Sequence, residues 1–157
     1  MKNAKREMKR KGFTLVELLI VIVVIGVLSA MMMLSSTEAV SSAKAADIVS
    51  DLRNLKTAAL AWYADNLSAA DALAAGKLND KRDDILKYMG TGKADSAYKF
   101  YNADNAKGWY VGYDGLTNNT SVQGKLAGRA ASTGLLKSQT SNDTYVSGNT
   151  TVYMFIR

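Results

Sequence analysis
The chain has 157 residues, 48% of them apolar and 22% charged. That is the make-up of an ordinary folded domain and excludes a disordered polymer and a multi-span membrane protein. Cys, His and Pro are all absent, which rules out a disulfide framework, the usual zinc sites and the Ser–His–Asp and Cys–His catalytic systems. The formal net charge of +6 is concentrated in residues 1–12, where Lys2, Lys5, Arg6, Lys9, Arg10 and Lys11 face only Glu7. The rest of the chain is close to neutral, so bulk charge does not support a nucleic-acid partner.

From Leu18 to Thr37, 20 consecutive residues carry no charge. A helix of that length rises about 30 Å, the thickness of a bilayer's hydrocarbon core. The basic cluster precedes this run and no comparable cluster follows. The positive-inside rule then places residues 1–12 in the cytoplasm and the bulk of the chain outside. A cleaved secretory signal has a shorter apolar core, and Leu28-Ser29-Ala30 is a poor cleavage site. The core helix of a soluble protein is shorter and alternates with polar positions. A plain anchor fits the length and topology but leaves Glu17 unexplained.

Glu17 lies inside the apolar run, between Val16 and Leu18. A carboxylate within the bilayer costs about 2.5–3.5 kcal/mol on insertion scales, so it calls for a partner or for access to the headgroups. No Lys or Arg stands between residues 13 and 43. A cut after Gly12 creates the missing cation. Phe13 would gain a free α-ammonium one turn from its own Glu17 and within reach of a neighbouring copy's Glu17.

The stretch Lys11-Gly12-Phe13-Thr14-Leu15-Val16-Glu17-Leu18-Leu19-Ile20 resembles the class III signal of type IV pilins and of the pseudopilins of type II secretion systems. The resemblance covers about residues 9–34. It implies that a membrane aspartyl prepilin peptidase cleaves between Gly12 and Phe13 and methylates the new Phe13 amine. It implies that Glu17 registers each subunit against the Phe13 amine of its neighbour. The implied partners are the chain itself as a helical homopolymer, the prepilin peptidase, an assembly platform in the inner membrane and, before assembly, the lipid bilayer. The implied location is a single-pass inner-membrane precursor, then a cell-surface pilus. Gly26 matches a position where the family often has Gly. Leu34 stands where many members have Pro, so local unwinding there loses its support, although Gly26 alone weakens the helix by about 1 kcal/mol.

Residues 35–66 continue without Pro or Gly, and Val40, Ile48, Leu52, Leu55, Ala59 and Trp62 recur at close to helical spacing. The expected organisation is a leader over residues 1–12, one helix over 13–66 whose 13–34 part is transmembrane, and a head over 67–157. Gly26, Ser29 and Ala30 beside Met31, Met32 and Met33 suit close helix packing, or simply face lipid.

In the head, Leu67–Gly76 and Asp80–Gly90 read as helices, with Asp80 as a cap and Gly90 as a stop. Tyr98–Tyr101 and Trp109–Tyr113 read as strands, with turns at Asp114-Gly115 and Asn118-Asn119. Val122–Lys137 has helical spacing weakened by Gly124, Gly128 and Gly134, and Thr150–Arg157 reads as a closing strand. The fold class is α+β and pilin-like: a long helix on a small antiparallel sheet. Trp109, Tyr110, Tyr113, Tyr153 and Phe155 read as the sheet face packed on a helix rather than as a binding platform. Asp80, Asp83 and Asp84 read as a solvated helix start, not a metal loop. The N-x-S/T triplets, such as Asn118-Asn119-Thr120, say little.

No cofactor and no metal is expected, and nothing arranges a Ser–Lys nucleophile, so the chain does not read as an enzyme. The leading function is a structural pilus subunit for adhesion, motility or DNA uptake. The alternative is a type II secretion pseudopilin, whose head usually carries a Pro-containing motif that this chain lacks. A membrane-anchored enzyme or binding domain is a remote third. Without Cys there is no C-terminal disulfide loop of the kind common in type IV pilins. Hydrogen bonds or packing must hold residues 138–157.

Overall fold
The computed structural model describes residues 12–71, 73–90, 95–102 and 108–157. The leader expected over residues 1–12 therefore falls, apart from Gly12, outside the described residues. Contacts divide the chain into two units, one ending at Thr37 and the other spanning Glu38–Arg157.

Helix α1 (Leu15–Asp65) contributes to each unit. In the first unit its apolar side chains from Leu15 to Met33 are exposed on every side, with no buried face. A helix apolar all round belongs in lipid or inside an assembly. By length and composition this part of α1 is long and apolar enough to cross a membrane. The helix passes Gly26 and position 34 without a break. With Leu in place of Pro, no backbone N–H is missing there to interrupt the i→i−4 ladder. Ser36 Oγ donates to the Met32 carbonyl at 3.0 Å, which satisfies the hydroxyl within the helix itself.

In the second unit α1 buries Ala45, Ile48, Val49, Leu52, Leu55, Ala58, Ala59 and Trp62. The predicted stripe is present from Ile48 onward, but Val40 is 54% exposed. It lies before Ala45, where the buried stripe begins.

Four antiparallel strands form one sheet in the order β1-β2-β4-β3: β1 (Tyr98–Asn102), β2 (Trp109–Tyr113), β3 (Leu135–Leu136) and β4 (Val152–Phe155). Phe100 pairs with Val111, and Val111 with Met154. The inner face, with Tyr98, Phe100, Trp109, Val111, Val152 and Met154, joins the same core as the α1 stripe. Helix α4 (Thr120–Thr133) adds Val122, Leu126 and Ala130 to it. The architecture is α+β and pilin-like.

Several boundaries differ from the sequence reading. The helix expected over Leu67–Gly76 is the short α2 (Leu67–Asp71), and its remainder falls partly on residue 72, outside the described residues. Residues 73–78 are pinned by Asn102: its Oδ1 accepts from the Leu78 N–H at 2.8 Å, and its Nδ2 donates to the Ala74 carbonyl at 3.0 Å. Asp80–Gly90 is a 3-10 turn (Leu78–Lys81), α3 (Arg82–Leu86) and a second 3-10 turn (Lys87–Met89). Asp80 does not cap it. Asp80 lies inside the first turn and faces Lys77 at 3.4 Å. Gly90 ends the segment at φ 72°.

The helix expected over Val122–Lys137 begins earlier and stops at Thr133. Gly134 (φ 72°) adopts the left-handed conformation that a helix stop requires, and Leu135–Leu136 then pairs with β4. The aromatics also split. Trp109 lies in the core, its ring 6.1 Å from Trp62. Tyr110 and Phe155 meet at 5.4 Å, as do Tyr101 and Tyr153. Because successive strand residues alternate faces, these four lie on the side of the sheet away from α1, so only part of the aromatic set packs on a helix.

The C-terminal region is held without a covalent link. Tyr145 is fully buried, and its hydroxyl donates to the Asn149 carbonyl at 2.8 Å. The buried Gln123 side chain donates to Leu116 O at 2.9 Å and accepts from the Gly148 N–H at 3.0 Å. Lys137 faces Asp143 at 2.8 Å. The Lys137 hydrogen bond, then its charge, hold the Asp143 carboxyl below its ordinary pKa. A depressed carboxyl stabilises the fold fully above its unfolded pKa and loses that effect as pH falls through the folded value. The Asp143 carboxyl carbon, followed by NMR, is expected to titrate below the roughly 3.9 of a free Asp, and Lys137→Gln to return it there.

Candidate processing and assembly site
Gly12, Phe13 and Thr14 precede α1 in non-helical backbone, and Phe13 is 85% exposed. The scissile bond that the sequence suggests, between Gly12 and Phe13, therefore lies in non-helical, accessible chain just ahead of the first helical turn. Thr14 is the residue that sequence reasoning missed. Its backbone N–H donates to Glu17 Oε2 at 2.8 Å, and its hydroxyl donates to the same oxygen at 2.8 Å. In return, the Glu17 N–H donates to Thr14 Oγ1 at 3.2 Å.

This is a capping box, a Thr at the N-cap answered by an acid three residues on, and it satisfies helix-end donors that nothing else bonds. The signal was legible as Thr14-Leu15-Val16-Glu17 before an apolar run. The carboxylate also sits in the first turn, where the helix dipole favours a negative charge. Oε1 takes no part in the three bonds. A second donor can therefore reach Glu17 without dismantling the cap. Thr14→Ala is expected to weaken the first turn by about 1 kcal/mol, read as faster amide exchange at residues 15–18 in micelles, with Thr14→Ser close to unchanged.

Residues 8–33 match the family described as the prokaryotic N-terminal methylation motif. That motif is the signature of the prepilin-type signal of type IV pilins and pseudopilins. The match spans Lys9, Arg10 and Lys11, the Gly12–Phe13 junction, the Thr14–Glu17 box and the exposed apolar part of α1. It supports a type IV pilin-like or pseudopilin precursor and marks structural proteins rather than enzymes. It implies processing by a prepilin peptidase and assembly into pilus-like polymers, and with the apolar helix it fits a membrane-anchored precursor. No curated protein and no solved structure matches the chain.

Proposed function
We propose that the chain is a prepilin, the precursor of a structural subunit of a type IV pilus. The observation that carries this reading is the acid at Glu17, capping the head of α1 where the stretch from Leu15 to Met33 is otherwise uncharged, apolar and exposed and bears the methylation motif. In this reading residues 1–12 are a cytoplasmic leader removed between Gly12 and Phe13, and the new Phe13 amine is methylated. Residues 13–34 span the inner membrane before assembly and form the filament core afterwards. Residues 35–66 are the spine of a head completed by residues 67–157.

Glu17 meets the Phe13 ammonium of a neighbouring copy through the oxygen that the cap leaves open. A head-to-tail contact of this kind propagates into a helix of subunits where its rotation does not close a ring. The absence of Pro from the head favours a pilus over a secretion pseudopilus. The test is co-expression with a type IV pilus assembly system, followed by electron microscopy of sheared surface material. Filaments containing this chain are expected, and their absence while the mature chain accumulates in the membrane would refute the subunit role.

A further inference from the structure
Lys77, Arg82, Lys87, Lys99 and Lys137 each meet a carboxylate. Among the described residues no ion pair takes Arg53 of α1 or Arg129 of α4. These two arginines line one cavity of about 330 Å³, together with Ser50, Asn54 and Thr133, over apolar ground that includes Val49. No acid lines it, and α4 contains no Asp or Glu at all.

Arg129 is already positioned. Its Nη2 donates to Ser42 Oγ at 3.0 Å, and its backbone carbonyl accepts from Ser132 Oγ at 2.9 Å and Thr133 Oγ1 at 2.7 Å. One bond to a neutral hydroxyl leaves most of the five guanidinium donors unused. Lys125 stands one turn before Arg129 on α4, a like-charge spacing that disfavours the helix unless an anion offsets it.

We propose that this groove between α1 and α4 binds an oxyanion of the phosphoryl type. A guanidinium offers a planar fork, and two forks carried on different helices suit an anion whose oxygens do not share one plane. Ser50 and Asn54 add neutral donors. The cavity has room for more than a bare phosphate, so the group can arrive free or as a phosphate ester. The site lies wholly within the Glu38–Arg157 unit and stands whether or not the chain polymerises.

The experiment is calorimetric titration of the full chain in detergent micelles with inorganic phosphate and, separately, with glycerol 1-phosphate. Saturable one-to-one binding is expected, weakened about tenfold or more by Arg53→Gln. Arg129→Lys, which keeps the charge but loses the fork, is expected to weaken binding without lowering the melting temperature. Lys56→Gln is expected to leave it unchanged. Tighter binding of the ester identifies an esterified source and equal binding a free one, and either result sustains the site. Absence of saturation, or equal losses from Lys56→Gln and Arg53→Gln, would overturn it.

Discussion

A Glu17→Val chain is expected to enter the membrane, lose residues 1–12 and yet form no filaments. Removing the carboxylate eases insertion, since a buried acid costs about 2.5–3.5 kcal/mol on insertion scales. In the proposed filament, what it removes is the partner of the Phe13 ammonium. Stripping one member from a desolvated ion pair costs about 3–5 kcal/mol, because the other charge is left buried alone. At about 1.4 kcal/mol per factor of ten, each contact between copies weakens roughly 10²- to 4 × 10³-fold, and a polymer repeats that loss at every subunit.

The capping box allows the helix-capping role of Glu17 to be separated from its proposed register role. Thr14→Ala loses the box but keeps the carboxylate and is expected to assemble. Glu17→Gln keeps a side chain of the same size that can still accept the Thr14 bonds, but it lacks the charge and is expected to fail. Sheared-fraction immunoblots and micrographs read the outcome, and ordinary filaments from Glu17→Val or Glu17→Gln would refute the register role.

The second large effect lies in the head. Tyr145→Ala is expected to destabilise the Glu38–Arg157 unit by about 3–5 kcal/mol, the usual cost of deleting a fully buried aromatic ring. Tyr145 sits between the backbone of Leu135, whose carbonyl accepts its N–H at 2.9 Å, and the Asn149 carbonyl that accepts its hydroxyl. It ties the 138–150 segment to β3 and so takes the place of a covalent loop. The melting temperature of the full chain should fall on the order of 10–20 °C. Tyr145→Phe, which loses one hydrogen bond and keeps the ring, should cost only about 0.5–1.5 kcal/mol. Similar losses from the two variants would show that the hydroxyl, not the packing, holds the segment.

The signals that the sequence made legible are those that repeat or stand out locally. The α1 stripe from Ile48 to Trp62 follows helical spacing over many turns, and the aromatic runs at Tyr98 and Trp109 fall where β1 and β2 do. Glu17 stands out because a lone charge in an apolar run is costly to insert and so calls for a partner or for access to the headgroups. What escaped depends on contacts distant in sequence. Asn102 fixes residues 73–78, and Gln123 joins the Leu116 turn to Gly148, each through hydrogen bonds that no local pattern announces.

The end of α4 was misplaced for a different reason. Leu135 and Leu136 fit a helical period as well as a strand, and pairing with Met154 and Tyr153 decides between them. Thr14 and Glu17 form a local motif in the sequence, but the same acid also reads as an unpaired charge at the membrane, and that stronger signal masks the cap.

The most direct measurement is the intact mass of the chain after expression with and without a prepilin peptidase. With the enzyme, the mass should correspond to residues 13–157 plus one methyl group, with fragmentation placing that methyl on the Phe13 nitrogen. Without it, the full 157-residue chain should persist. A full-length chain in the presence of an active peptidase, or a cut near Ala30, would contradict the account.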